Sequence, residues 1–122
     1  MKVLLAVGFC VLLSSSGKLA YATTLTTPAL SAGDDGIAQC EIVNVGGTPI
    51  DVTLLPVRVT PGPVFDPIAC PNLATNARCF VQIPGTIDVF CRFTFSGSKT
   101  SVRAIVETLT LGGTATAALP AN

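Results

Sequence analysis

The 122-residue chain contains no histidine and no tryptophan, and its single methionine is the initiator. Without histidine, neither a Ser-His-Asp nor a Cys-His catalytic arrangement can be built, and no imidazole can ligate a metal. The sequence also lacks the C-x-x-C motif of thioredoxin-like enzymes and zinc ribbons, and no glycine-rich loop carries a phosphate-binding lysine. These absences predict a protein that is not an enzyme and has no catalytic residue, metal or cofactor.

Carboxylates are the remaining route to catalysis or metal binding, and their placement argues against both. Asp34 and Asp35 precede Gly36, but two adjacent carboxylates fall short of the roughly 6–8 oxygen ligands of Ca²⁺, so we interpret the cluster as a turn. Asp88 and Glu107 are expected to face each other on an exposed sheet surface. Glycoside chemistry instead needs two acids held across a cleft.

The first 22 residues have the pattern of a secretory signal peptide. Met1 and Lys2 give a charged start, residues 3–13 form an apolar run, and Ala20-Tyr21-Ala22 is a small-x-small cleavage site. The apolar run is too short to span a bilayer, which takes about 20 residues as a helix. We expect residues 1–22 to be removed and residues 23–122 to form one secreted or periplasmic domain, without membrane insertion.

Loss of the signal peptide would change both the charge and the cysteine count. Lys2 and Lys18 would leave, so five basic residues would face seven acidic ones, a net charge of −2. That charge predicts no binding to nucleic acid. Cys10 would leave as well, and an even set of four cysteines would remain: Cys40, Cys70, Cys79 and Cys91. In a small exported domain, this set predicts two disulfides.

The remaining sequence is patterned for strands and turns, with frequent threonine, valine, glycine and proline and no sustained helical period. Proline shapes three of the expected segments. We predict an edge strand over residues 23–30 broken by Pro28, a bulge near Pro56, and a stiff connection over residues 60–72. Further strands are expected over residues 37–45, 50–59, 78–83 and 114–119. Seven or eight short strands predict an all-β, two-sheet antiparallel sandwich, with a small barrel as the alternative.

Residues 87–111 carry the clearest strand pattern. From Ile87 to Phe95 every second residue is apolar, which is the pattern of a strand with one buried face. Gly97 marks a turn before a return strand, so we predict a hairpin. Its outward face would place four residues together: Phe90, Arg92, Arg103 and Ile105. Arginine and aromatic side chains are enriched at binding hot spots, which makes this face the candidate binding surface. The alternative is that another strand or the proline-rich connection covers it.

Four cysteines allow three disulfide pairings, and the sequence alone does not choose among them. The strand placement favours one. Cys40 and Cys91 are expected at mid-strand on inward faces, where they can meet across the core. Cys70 and Cys79 are nine residues apart and can staple the intervening loop.

Mid-strand cysteines about fifty residues apart, Cys40 in AQCEIVNV and Cys91 in VFCRFTF, resemble the inter-sheet bridge of immunoglobulin-like domains. Together with the late FCRFTFSGSKTSVRA segment, the pattern also resembles small secreted bacterial sandwich proteins of unassigned activity, over residues 37–111. The chain departs from antibody domains because no tryptophan packs the bridge, and Val89 stands where a tyrosine is usual. The resemblance implies a fold more than a function.

These observations lead to one functional hypothesis and one alternative. The hypothesis is a non-enzymatic secreted domain that acts as a binding or structural module at the cell surface or in the periplasm, with an unknown protein or surface partner. The alternative is a small-ligand or carbohydrate-binding protein. It has little aromatic surface to offer a sugar, because the chain has one tyrosine and no tryptophan.

Overall fold

The computed structural model describes residues 22–31, 36–85, 87–110, 112–113 and 115–122. In these residues the chain forms strands and one short 3₁₀ turn, Lys99–Ser101. The strands are β1 (Ala22–Thr26), β2 (Leu30–Ser31), β3 (Gly36–Asn44), β4 (Ile50–Arg58), β5 (Ile68–Leu73), β6 (Arg78–Pro84), β7 (Asp88–Ser96), β8 (Val102–Thr110) and β9 (Ala115–Pro120). Apart from Ala22, the predicted signal peptide lies outside the described residues, as do Asp34 and Asp35 of the predicted turn.

The strands form two antiparallel sheets. The first sheet has the order β1-β7-β4-β5, and β2 also pairs with β7. The second sheet has the order β6-β3-β8-β9. The predicted all-β class with two antiparallel sheets is therefore confirmed, with one or two more strands than expected.

The core lies between the two sheets and is built by period-two alternation. The most deeply buried apolar side chains come from the central strands of both sheets: Ile42, Leu54, Val89, Phe93, Phe95 and Val106. Burial of each such side chain contributes about 1.5–3 kcal/mol. The sulfur atoms of Cys40 and Cys91 cross this layer, joining β3 to β7 with a Cα–Cα distance of 5.7 Å.

The predicted hairpin between β7 and β8 is wrong, because the two strands belong to different sheets. β7 pairs with β1 and β4, whereas β8 pairs with β3 and β9. The connection is a 3₁₀ turn instead of a tight hairpin, and the Ser101 carbonyl accepts hydrogen bonds from the N–H groups of Val45 and Gly46. The chain thus crosses from one sheet to the other. The buried residues of both strands were nevertheless predicted correctly. The same alternate residues point into the core whether two strands pair in one sheet or face each other from two sheets.

Two predictions about proline also need correction. The stiff connection is shorter than expected, because Ile68–Leu73 forms edge strand β5, which tolerates Pro71. No bulge occurs at Pro56, where the β4–β7 register runs unbroken. Cys91, opposite Pro56, uses both of its backbone groups on its other side: its carbonyl accepts from the Thr27 N–H, and its N–H donates to the Thr27 hydroxyl. The missing N–H of Pro56 therefore costs the pairing with β7 no hydrogen bond. The register shift lies instead between Ile50 and Val52, against β5.

A buried asparagine organises the turn between β3 and β4. Asn44 is fully buried, and its side-chain amide donates to the carbonyls of Thr48 and Leu73. Its side-chain oxygen accepts from the Gly46 N–H. One side chain therefore ties the β3–β4 turn to the end of β5, close to the start of β6.

Candidate functional site

The structure separates the four residues of the predicted binding face. Phe90 and Arg92 lie on the outer side of the first sheet, beside β4, and Arg103 and Ile105 lie on the outer side of the second sheet, beside β3. The expected neighbour pairs across a hairpin do not exist. The four residues do not form one surface, because the predicted register required β7 and β8 to be adjacent.

The predicted pair of acids is separated for the same reason. Asp88 is on β7 and Glu107 is on β8, so they lie on different sheets. Glu107 instead accepts a hydrogen bond from Gln39 at 2.7 Å. Among the described residues, no group of three or more acidic, histidine or cysteine side chains could hold a metal ion.

All four cysteines of the described chain are in disulfides. Cys40 bonds Cys91 between the central strands, and Cys70 bonds Cys79 between β5 and β6 with a Cα–Cα distance of 6.2 Å. Both pairings are those that the strand placement favours. Cys70 lies on an edge strand instead of in a loop, so the second bridge staples the two sheets along one flank.

The backbone of β6 has an unpaired outer edge. Hydrogen bonds at both ends of the β3–β6 ladder, from Asn44 N–H to Ala77 C=O and from Gly85 N–H to Gly36 C=O, fix its alternation. The backbone N–H and C=O groups of the odd-numbered β6 residues therefore point toward β3. Those of Arg78, Phe80 and Gln82 point away from it. In the described part of the chain, no strand or loop bonds to these groups.

The other sheet edges are better protected. β5 contains Pro71 in mid-strand, and a proline has no N–H to offer a further strand. The pairing of β9 with β8 shifts register between Thr108 and Leu109, and such an irregularity interrupts the β9 edge. On β1, the N–H and C=O of Thr26 are both bonded to Asn122. On β6 the first proline is Pro84, at the last residue of the strand. Within the described residues, β6 is thus the strand with the longest run of free backbone groups.

The side chains along this edge are held in place. Phe80 is 42% exposed, and the Arg78 guanidinium lies over its ring at 4.6 Å from the centroid. Arg78 also contacts Glu41 at 3.4 Å, although its side chain remains 59% exposed. A cation and a ring packed in this way form a pre-ordered, amphipathic surface beside the free backbone.

A row of amide and carboxylate side chains on the neighbouring strands β3 and β8 supports this surface. Gln39 is 5% exposed, and its amide nitrogen donates to Glu41 and Glu107 while its oxygen accepts from Gln82. This network links β6, β3 and β8 across their outer faces. It fixes the side chain of Gln82 at one end of the free edge, and Glu41 restrains Arg78 at the other.

Sequence reasoning missed this edge, although the signal was present. Phe80 stands between Arg78 and Gln82 on the polar parity of a strand whose other parity is Cys79, Val81 and Ile83. A large aromatic residue on the solvent parity is the unusual feature. Sequence alone did not indicate that no neighbouring strand would cover it.

In the described residues, no helix is long and apolar enough to cross a membrane. No family model, curated protein or solved structure matches this chain.

Proposed function

We propose that this protein is a secreted or periplasmic, non-enzymatic immunoglobulin-like domain that binds a partner polypeptide by accepting one of its strands at the β6 edge. The observation that carries the proposal is the unpaired backbone of Arg78, Phe80 and Gln82 beside an exposed ring. Free edge N–H and C=O groups are templates for strand addition, and neighbouring side chains supply specificity.

Two features support the compartment and the architecture. Two disulfides fit an extracellular or periplasmic protein, because cytosolic thiols are kept reduced. The Cys40–Cys91 bridge between central strands of facing sheets is similar to the inter-sheet bridge of immunoglobulin-like domains.

The side chains of the edge define the chemistry of the partner segment. A residue directly across from Arg78 would favour a carboxylate, because the Arg78 side chain remains 59% exposed beside its contact with Glu41. The residue across from Phe80 would favour an apolar side chain, which would cover the exposed ring. The alternative small-ligand or carbohydrate reading is weaker at this surface, since Phe80 is the one well-exposed ring among the described residues.

The proposal is tested with a synthetic extended peptide of alternating threonine and valine, blocked at both ends, with one glutamate positioned to face Arg78. Binding to the isotopically labelled, oxidised protein should shift the amide signals of Arg78, Phe80 and Gln82 and slow their hydrogen exchange. Two control peptides have a lysine in place of the glutamate, or N-methyl groups on the N–H groups that face β6. The first should bind about tenfold more weakly and the second should not bind.

Three outcomes would contradict the proposal. The peptide could leave these three amides unchanged, the N-methylated control could bind as well as the parent, or the shifts could fall on another strand. Concentration-dependent protection of the same amides without peptide would identify a second copy of this chain as the occupant instead of a partner.

A further inference from the structure

A separate site lies at the end of β4, away from the β6 edge. The second half of β4 and the loop that follows it enclose a concavity of about 420 Å³. Its walls are mostly apolar and include Leu55, Val57, Val64 and Phe65. Ligand pockets for small molecules start at about 300 Å³ and are mainly apolar with few polar groups, so the size and lining fit a small organic molecule.

The one ionisable side chain in this wall is Arg58, and it lacks an acceptor. Its Nε atom is buried without a hydrogen-bond partner, the only such side-chain atom among the described residues. The single salt bridge in the described chain, Arg78–Glu41, does not involve it. Burying a charged donor without an acceptor is destabilising. The Arg58 side chain therefore has no counterion among the described residues.

The loop is shaped around this guanidinium. The Arg58 group lies 5.9 Å from the centre of the Phe65 ring, near the limit of a cation–π contact. A Cβ atom added at Gly62 would lie 2.7 Å from the guanidinium carbon, which is closer than Cβ atoms approach other heavy atoms in proteins. Gly62 has no positive φ, so a Cβ here would conflict with the present position of the Arg58 side chain and not with the backbone conformation. The loop backbone thus closes directly against the charge.

The composition of the wall distinguishes between anions. A phosphate dianion is normally met by several donors or a second cation, whereas this wall offers one arginine and one hydroxyl residue, Thr60. One guanidinium matches one carboxylate in a bidentate geometry. The apolar walls would remain to cover a hydrocarbon body. We propose that this concavity binds a small monocarboxylate with an aliphatic or aromatic body, its carboxylate on Arg58.

The test uses sodium octanoate as the probe and the oxidised protein labelled with ¹⁵N. Octanoate should move the Nε–Hε signal of Arg58 to saturation and leave the corresponding signals of Arg78 and Arg103, which lie on the other sheet, unchanged. Octanamide has the same body without the charge and should bind about tenfold or more weakly. Inorganic phosphate should not shift the Arg58 signal at the concentrations at which octanoate does.

Variants assign the effect to the guanidinium. Arg58→Met should weaken octanoate binding about tenfold or more, whereas Arg103→Met, on the outer side of the other sheet, should leave it unchanged. Gly62→Ala keeps the charge but forces the guanidinium to move, and should weaken binding several-fold. Gly47→Ala is its control, because a Cβ there meets nothing within 4 Å.

The Gly62→Ala arm keeps the proposal testable if Arg58→Met does not fold. Equal binding of octanamide and octanoate would overturn carboxylate recognition, and so would a comparable response to phosphate. An Arg58 signal that does not respond to octanoate, or a Gly62→Ala variant that binds like the parent, would overturn the site itself.

Discussion

The two flanks of the molecule are closed by different chemistry. On the carboxyl-terminal flank, formed by β1 and β9, the Thr26 N–H donates to the Asn122 carbonyl and the Asn122 N–H donates to the Thr26 carbonyl. On the bridged flank, formed by β5 and β6, the Cys70–Cys79 disulfide joins the sheets. Hydrogen-bond closure uses backbone groups of the edge, whereas a disulfide acts through side chains. The bridged flank can therefore be held shut while the β6 backbone stays free.

This difference bears on the proposed strand addition. A strand edge that accepts a partner must not open the core when it is left unpaired, and a covalent staple meets that need. The β5 and β9 edges are interrupted in other ways, by Pro71 in the middle of β5 and by a register shift along β9. The free groups of β6 are thus confined to one flank, and the comparison between flanks can be tested by removing each closure.

The largest loss of unfolding free energy is expected on removal of the central bridge. This bridge belongs to neither flank and serves as the reference for the other two predictions. Replacing Cys40 and Cys91 together with alanine should lower the free energy of unfolding by about 4 kcal/mol, because a closure of 51 residues is lost. Urea unfolding of the oxidised protein measures this change. A loss smaller than that caused by removing the flank bridge would contradict the chain-entropy account.

Removing the flank bridge is the second prediction. Cys70→Ala with Cys79→Ala should cost about 3 kcal/mol, since the closure spans nine residues. Hydrogen exchange should speed up most along β5, which among the described residues has β4 as its single strand partner. If β5 stayed as protected as in the parent, hydrogen bonding alone would hold this flank, and the contrast with the other flank would fail.

Shortening the carboxyl-terminal flank is the third prediction. Ending the chain at Pro120 removes three backbone hydrogen bonds, two with Thr26 and one from Ala121 N–H to Ala104 C=O, and should cost about 2 kcal/mol. Exchange of the Thr26 amide should accelerate. Asn122→Ala is the control and should change little, because the bonds come from the backbone. An equal loss in that control would point to the side chain instead.

The sequence predicted which residues are buried far better than it predicted which strands are neighbours. Val89, Cys91 and Phe93 alternate strictly, and each is buried. Alternation reports which side of a strand faces the core, and it is the same whether β8 lies beside β7 or across from it. The turn decided between these arrangements, and the 3₁₀ geometry of Lys99–Ser101 is weakly encoded by its residues.

The candidate sites were harder to predict for a related reason. Within the described residues, the importance of Arg58 depends on the missing hydrogen-bond partner of its Nε atom, and that of β6 on the missing strand beyond its outer edge. Both are properties of the assembled sheets and of the loop that follows β4. The disulfides could be predicted because each cysteine is constrained by the face of its own strand, which local alternation does report.

The smallest expected effect tests the free edge itself. Because the Gln82 N–H points away from β3, Gln82→Pro removes no hydrogen bond of the ladder. It loses the side-chain bond to Gln39 and should cost about 1 kcal/mol. Val81→Pro, one residue earlier, removes an N–H that faces β3 and should cost about 3 kcal/mol or more. Thermal and urea unfolding of the two oxidised variants measure the difference.

The pair of variants separates orientation from general intolerance of proline. Equal destabilisation by both would mean that β6 does not present the backbone of Gln82 outward, and the strand-addition proposal would lose its basis. If the difference is found, Gln82→Pro should also abolish binding of the alternating threonine and valine peptide while the fold remains intact. A Gln82→Ala control loses the side-chain bond to Gln39 but keeps the N–H, so it should still bind that peptide. Retained binding in Gln82→Ala with lost binding in Gln82→Pro assigns recognition to one backbone N–H on the bridged flank.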